Sequence, residues 1–161
     1  MIILGIDLGS SNLAYSIIEV LDEQTLPRII KTVYMHLTAE KIGDRLHIIL
    51  KRLEKEIEDE LVDLIVFEDS VFRGRNAPAL NYVAGIFHLL SAIYNIPIRA
   101  PKPTQIKKEL TGDGKADKLR VEIEVMNRVS NPPASFENDH CSDACGIALY
   151  GYLKYGNLLK N

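Results

Sequence analysis

Residues 2–12 read Ile-Ile-Leu-Gly-Ile-Asp-Leu-Gly-Ser-Ser-Asn, an apolar run that ends in an aspartate and a glycine-containing turn. A nearly continuous run of Ile and Leu is typical of a strand that is covered on both faces of a sheet. Asp7 closes this strand, and the polar turn after it returns the chain into a second strand. The segment predicts the inner part of an α/β sheet with an acidic side chain at its edge.

The remaining sequence alternates between strand and helix patterns. Further strands are predicted over residues 13–21, 28–37, 62–67 and 96–99, and helices over residues 39–61, 77–94, 115–129 and 139–155. The first three strands are expected to form an antiparallel meander. The order β-β-β-α-β-α-β-α-α predicts an α/β fold, a mixed five-stranded sheet flanked by helices, and the length fits a single domain over residues 1–161.

The composition predicts a cytoplasmic protein with no membrane partner. We expect no apolar run to reach the roughly 18 residues that a membrane-spanning helix needs. The N-terminus lacks the features of a signal peptide. The two cysteines, Cys141 and Cys145, are too few for a disulfide framework. Their spacing beside His140 allows two interpretations, a zinc-binding cluster or, more ordinarily, two small buried thiols.

Charge is unevenly distributed along the chain. The net charge is −3, and acidic residues are frequent in residues 54–60. Residues 102–120 have the opposite balance, with three acidic and six basic residues: Lys102, Lys107, Lys108, Lys115, Lys118 and Arg120. This basic segment is either a solvated helix face or a surface that contacts phosphates.

Acidic residues stand at positions where they could share a metal ion. Asp7 closes the first strand and Glu68 follows the fourth, so the two carboxylates converge if these strands are parallel neighbours. Carboxylate oxygens suit Mg²⁺ or Mn²⁺, and two such ions can assist the hydrolysis of a phosphodiester. The alternative is structural, since acids at strand ends often form turns and Asp139 fits the N-cap of the last helix.

The first segment resembles two families. One comprises actin, heat-shock chaperone ATPases and sugar kinases, which approach ATP phosphates through a similar strand and turn. The other is the RuvC family of Holliday-junction resolvases, whose first strand carries Gly-Ile-Asp-x-Gly. The ATPases place their nucleotide between two duplicated domains, for which 161 residues are too few.

Four later segments distinguish these families. Residues 67–77 are similar to the second acidic motif of RuvC, and residues 103–118 to its Lys…Thr-Gly-x-Gly-x-Ala-x-Lys segment. Residues 142–148 are similar to its final Asp-Ala motif, and residues 43–46 to the opening of its first helix. The likeness covers nearly the whole chain in the family's order, so the sequence is identified as that of a RuvC-like nuclease with an RNase H-like fold.

The resemblance implies an endonuclease that uses Mg²⁺, with Mn²⁺ as a possible substitute, and cuts branched DNA, chiefly four-way junctions, in pairs. Asp7, Glu68 and Asp143 match the family's metal ligands. The family's fourth acid lies three residues before Asp143, where this chain has His140, and Asp139 lies four before. Both positions share a helix face with Asp143. Asp139 is preferred as the fourth ligand, with His140 as a ligand or proton acceptor beside it.

The resemblance also implies a DNA-binding surface. Lys107 and Lys118 match positions that approach the scissile phosphate, where a fixed positive charge stabilises the transition state. General phosphate contacts are expected from Lys102, Lys108, Lys115 and Arg120. Phe72 matches an aromatic that stacks on bases, although it could also be an ordinary, partly buried aromatic. Its neighbours Arg73 and Arg75 favour DNA contact.

RuvC enzymes are homodimers, and the apolar helix over residues 77–94 is the candidate interface unless its side chains belong to the core. Two other functions stay open at this level. One is a nuclease that debranches several forms of DNA, and the other is a junction-binding module without chemistry. The joint presence of Asp7, Glu68 and Asp143 argues against the module.

Overall fold

The structure is a computed structural model that describes residues 1–22, 24–69 and 77–156. It contains five strands and five helices in these ranges. They are β1 (Ile2–Asp7), β2 (Asn12–Glu19), β3 (Arg28–His36), α1 (Ile42–Glu60), β4 (Leu64–Phe67), α2 (Ala77–Tyr94), β5 (Ile98–Arg99), α3 (Pro103–Thr111), α4 (Lys118–Asn127) and α5 (Asp139–Tyr155).

The strands form one mixed sheet in the order β3-β2-β1-β4-β5. The pairs β1–β2 and β2–β3 are antiparallel, whereas β1–β4 and β4–β5 are parallel. This confirms the predicted five-stranded sheet and its meander. The first and fourth strands are parallel neighbours, which was the condition for Asp7 and Glu68 to converge. Ile6 pairs with Phe67, so the next residue of each strand, Asp7 and Glu68, stands at the same edge.

Helices cover both faces of the sheet. α1 and α2 pack on the face that carries Leu4, Leu13 and Tyr15. α3, α4 and α5 pack on the face that carries Ile3 and Val66. Alternate residues of each inner strand therefore enter different cores, which is why these strands are apolar along their whole length.

Close packing of α5 on β1 depends on Gly5. A Cβ atom at this position would lie 2.4 Å from the backbone nitrogen of Ala148 and 2.5 Å from the carbonyl oxygen of Ala144. Because no side chain separates the two backbones, α5 lies directly on β1. Its first turn consequently reaches the edge of the sheet where β1 ends.

The prediction of two helices after the last strand was wrong, because the structure has three. The additional helix is α3, whose first residue is Pro103. Proline suits this position because a backbone N–H there would have no helical partner in any case. α3 ends at Gly112, whose φ of 79° is left-handed. α4 then begins after Asp117, whose side chain accepts a hydrogen bond from the backbone N–H of Arg120 at 2.8 Å.

The expectation that no apolar segment reaches membrane-spanning length was also wrong. α2 has 18 residues, and by length and composition alone it could cross a membrane. One of its faces packs into the core through Val83, Phe87 and Leu90. The opposite side exposes apolar side chains, among them Tyr82, Leu89 and Ile93.

Candidate active site

Three carboxylates gather at the edge of the sheet. Asp7 ends β1, Glu68 directly follows β4, and Asp143 lies in the second turn of α5. The N-terminus of α5 is fixed by Asn138, whose side-chain oxygen accepts a hydrogen bond from the backbone N–H of Cys141 at 3.1 Å. This cap satisfies a backbone N–H group at the start of the helix and stabilises the first turn, which carries Asp139 and His140.

His140 makes a short polar contact with Asp7. Its Nδ1 lies 2.6 Å from Oδ2 of Asp7. The Asp7 side chain is only 19% exposed, whereas that of His140 is 43% exposed. With a proton on Nδ1, the ring donates to Asp7 and its Nε2 atom keeps a free lone pair.

The carboxylates are close enough to repel each other. The pKa of Asp7 is raised to about 6. Burial is the main cause and the charges of Asp143 and Glu68 add to it, while the hydrogen bond from His140 acts in the opposite direction. Burial also raises the pKa of Asp143. A bound cation would relieve this repulsion and favour the charged form of each acid.

Two lysines border the acids. The ammonium of Lys118 lies 3.2 Å from Oδ2 of Asp139 and 3.8 Å from Oδ2 of Asp143. Lys107 donates to the carbonyl oxygen of Ala116 at 2.8 Å, and its charge lowers the pKa of Asp143. The ammonium groups of α3 and α4 thus stand next to the carboxylates of α5.

Metal binding here would need ligands from outside the chain. In the part of the chain that the structure describes, no three His, Cys, Asp or Glu side chains are grouped closely enough to hold a metal ion as they stand. The donor chemistry nevertheless fits Mg²⁺, which binds proteins through one or two carboxylates and completes its shell with water and substrate phosphate. Asp7, Glu68 and Asp143 offer such carboxylates at an edge where phosphate oxygens can approach.

The other predicted basic residues lie around α3 and the loop that follows it. Lys102 is the residue before α3, and Lys108 lines a groove with Tyr150 and Lys154. Arg120 donates to the carbonyl oxygen of Thr111 at 3.0 Å, so its guanidinium is held at the C-terminal end of α3, where the loop that contains Lys115 begins. Phe72, Arg73 and Arg75 lie outside the described residues.

Both cysteines are packed into the domain. Cys141 and Cys145 are buried in α5, and burial raises the pKa of the Cys145 thiol to about 12. This burial fits the more ordinary interpretation of the two cysteines, as small buried thiols.

Two polar residues near His140 were not singled out from the sequence. The rings of Tyr34 and His140 are nearly parallel, with centroids 5.8 Å apart and planes inclined by 11°. The Tyr34 hydroxyl donates to Oδ1 of Asn12 at 2.8 Å. Asn12 was read only as a turn residue and Tyr34 as one of many strand residues. The sequence did contain one signal. Counting residues outward from the turn of the first hairpin pairs Asp7 with Ala14.

Comparison with known proteins gives one consistent family. The family model of crossover junction endodeoxyribonuclease RuvC matches residues 3–150. The curated RuvC of Carboxydothermus hydrogenoformans is 32% identical over 165 residues, which are 99% of this chain and 100% of that protein. The RuvC of Synechococcus sp. strain WH7803 is 33% identical over 160 residues, covering 96% of this chain and 99% of that protein.

A solved structure agrees with this assignment at the level of the fold. The structure of T. thermophilus RuvC in complex with a Holliday junction substrate superposes with a TM-score of 0.86 at 23% identity, covering 98% of this chain and 96% of that one. The resemblance stated from the sequence motifs and the RNase H-like fold that it implied are therefore confirmed.

Proposed function

The chain belongs to the RuvC family of crossover junction endodeoxyribonucleases, and we propose that it resolves four-way DNA junctions by paired, metal-dependent hydrolysis of phosphodiester bonds. The observation that carries the proposal is the convergence of Asp7, Glu68 and Asp143 at one sheet edge, with two lysines beside them. Burial and mutual repulsion make this arrangement costly for stability. Binding of a cation and a substrate phosphate would offset this cost.

Asp7, Glu68 and Asp143 would hold the metal ion, which is Mg²⁺ in this proposal, with Mn²⁺ as a substitute. When bound, the metal supplies an activated water and stabilises negative charge on the phosphate. The carboxylates hold it at the mouth of the site, where Asp7 is already oriented by His140. Carboxylates without sulfur ligands favour these hard cations over zinc.

The fourth active-site group in this proposal is His140. The sequence favoured Asp139, but the contacts favour the histidine, because His140 reaches Asp7 while the Asp139 side chain is 66% exposed and paired with Lys118. Nε2 of His140 is available to bind the metal or to accept a proton from the attacking water. Asp139 remains the alternative ligand, since it shares the same helix face.

The lysines complete the reaction centre. Lys107 and Lys118 would stabilise the charge that develops on the phosphate, an effect worth roughly 10²–10³-fold in rate for one well-placed donor. General phosphate contacts are assigned to Lys102, Lys108, Lys115 and Arg120. Phe72 would stack on bases at the opened junction, with Arg73 and Arg75 on the neighbouring backbone.

We further propose that residues 1–161 form one nuclease domain that acts in the cytoplasm as a homodimer. The exposed side of α2 carries Tyr82, Leu89 and Ile93, and a Cβ atom at Gly85 would meet nothing within 4 Å. Two copies of this face can pack around a two-fold axis. A four-way junction offers two symmetry-related strands, so a two-fold dimer would place one active site on each.

The experiment compares a labelled four-way junction, a three-way junction and a linear duplex of the same sequence, each with Mg²⁺, Mn²⁺ or EDTA. The parent protein is expected to make paired, metal-dependent cuts in the four-way junction. Glu68→Gln is expected to bind the junction with unchanged affinity and to leave it uncut, because one ligand is lost. Asp69→Asn, at the exposed neighbouring acid, is the matched control and should cut normally.

Equal cleavage by Glu68→Gln and the parent would contradict the proposed metal site. Similar cleavage of both branched substrates would instead support the debranching nuclease. Binding of the four-way junction without cleavage in either metal would support a non-catalytic module.

A further inference from the structure

Three neighbouring strands place Asp7, Ala14 and Tyr34 in one row across the sheet. Asp7 pairs with Ala14 between β1 and β2, and Ala14 pairs with Tyr34 between β2 and β3. Paired residues project from the same face of a sheet, so all three point toward α5. The middle member of the row is an alanine, which leaves room above it for a side chain from the helix.

His140 contacts both ends of this row. Its Nδ1 lies 2.6 Å from Asp7, and its ring is stacked on that of Tyr34. The hydrogen bond fixes one atom of the imidazole but leaves the ring free to turn about that bond. Contact with the face of a second ring removes that freedom, because a parallel stack defines the plane of the imidazole.

Tyr34 is itself held in place. Its hydroxyl donates to Oδ1 of Asn12 at 2.8 Å, and the same oxygen lies 2.8 Å from Nδ1 of His36. Asn12 and His36 are paired residues of β2 and β3. The orientation of the Tyr34 ring is therefore fixed both by its strand and by the tip of its side chain.

We propose that Tyr34 is a positioning residue that sets the plane of the His140 ring, and that Asn12 keeps Tyr34 in the required orientation. This inference rests on the proposed function, in which Nε2 of His140 acts at the reaction centre. Neither Tyr34 nor Asn12 needs to touch DNA or metal in this role. Their effect on the reaction passes through the direction in which Nε2 points.

The test uses three substitutions with graded effects. Tyr34→Leu removes the stack, Tyr34→Phe keeps the ring and loses the hydroxyl, and Asn12→Ala removes the acceptor. Tyr94→Leu is the matched control, since Tyr94 is also half-buried and donates its hydroxyl to a side chain, that of Glu58. Single-turnover cleavage at saturating junction and the dissociation constant of the junction are measured for each.

Tyr34→Leu is expected to cleave about 10- to 100-fold more slowly, the usual effect of removing a residue that orients an active-site group. Its junction affinity should stay within about 2-fold of the parent. Tyr34→Phe should keep most of the parental cleavage rate. The rate of Asn12→Ala should lie between those of Tyr34→Phe and Tyr34→Leu. A normal rate for Tyr34→Leu, or a loss seen only in affinity, would overturn the proposal.

A second measurement separates this inference from the proposed function. Side-chain NMR of labelled histidine in the metal-free protein reports on His140 without any cleavage, and its signals are assigned with His140→Asn. Tyr34→Leu should shift and average the His140 ring signals while those of His47 and His88 stay unchanged. Unchanged His140 signals would refute the positioning role even if the protein cleaves junctions. A response of His140 in a protein that cleaves nothing would refute only the proposed function.

Discussion

Glu56 and Asp7 are both buried acids of the same domain, but their surroundings are opposite. Glu56 is 3% exposed and lies between α1 and the sheet. Its Oε1 atom accepts a hydrogen bond from the Tyr15 hydroxyl at 2.7 Å and lies 3.0 Å from Nε of Arg52, while Oε2 lies 2.9 Å from the ammonium of Lys31. Asp7 has the His140 contact, and other acids stand beside it.

Because of these different surroundings, the pKa of Glu56 is lowered and that of Asp7 is raised. Burial alone would raise the pKa of Glu56, but the hydrogen bonds from Lys31 and Tyr15 outweigh it and the net pKa is lowered. Burial and the neighbouring acids leave the pKa of Asp7 raised to about 6. Positive groups in contact with Glu56 outweigh the effect of its burial, whereas the charges of His140 and Lys118 do not outweigh burial and the neighbouring acids at Asp7. A raised pKa of this kind is common at functional sites.

Removing Glu56 should have the largest effect on stability. Glu56→Ala leaves the buried Tyr15 hydroxyl without its acceptor and removes one partner of Lys31 and Arg52, which are themselves partly exposed. The expected loss is about 1–3 kcal/mol of unfolding free energy. The measurement is urea unfolding at fixed protein concentration. Cleavage per folded molecule should stay at the parental rate, since Glu56 lies away from the reacting groups. A variant as stable as the parent would show that the network contributes no net stability.

Removing Asp7 should have the opposite effects, a loss of cleavage and a gain in stability. Asp7→Asn is expected to lose cleavage by about 10³-fold or more, because a metal ligand contributes several kcal/mol to the transition state. In EDTA at pH 8 the same variant should be more stable than the parent by on the order of 2 kcal/mol, since the isosteric amide carries no charge to bury.

The pH dependence of that gain checks its cause. The folded parent holds the Asp7 proton more tightly than the unfolded chain between pH 3.8 and about 6, so the contribution of Asp7 to stability falls as pH rises through this window. The gain of Asp7→Asn over the parent should therefore vanish below pH 4. Glu56→Gln supplies the opposite trend, because the contribution of Glu56 is present above pH 4.5 and is lost as the pH falls. A gain that is independent of pH would show that charge burial is not the reason.

The sequence predicted the acidic edge of the sheet better than it predicted the details around it. Asp7 and Glu68 could be paired because parallel strands end at the same edge. Asp139 was preferred to His140 as the fourth ligand, although both positions share a helix face with Asp143. The contact between His140 and Asp7 favours the histidine instead. Motif position alone carries no information on which side chain reaches furthest.

Glu56 was missed although a signal was present. The acidic stretch over residues 54–60 was noted only for its charge, but Glu56 falls on the same helix face as Ile49 and Leu53. A glutamate in phase with an apolar stripe is buried unless its backbone shifts, so it requires internal partners. Those partners, Tyr15 and Lys31, come from strands whose register no local pattern defines.

Replacing Lys118 should have the smallest effect, but it compares the two regions most directly. Lys118 lies beside the acids of the candidate active site, as Lys31 lies beside Glu56. The Lys31 ammonium stays between Glu56 and Glu60 at 2.9 and 2.7 Å, whereas the Lys118 side chain is 63% exposed and lies farther from its two acids. Lys118 is expected to leave Asp143 when a metal arrives. Lys118→Met should therefore bind Mn²⁺ about 2- to 5-fold more tightly in the absence of DNA, as expected for removal of an exposed competing charge.

The same substitution should lower cleavage at saturating Mn²⁺, since the charge that would stabilise the phosphate is lost. Titration of Mn²⁺ by calorimetry measures the affinity, and Lys115→Met, an exposed lysine on the preceding loop, is the control that should bind Mn²⁺ like the parent. Weaker Mn²⁺ binding by Lys118→Met would mean that the ammonium organises Asp139 and Asp143 for the metal. Lys118 would then be a permanent partner of its acids, as Lys31 is of Glu56, and the difference between the two regions would lie in the carboxylates alone.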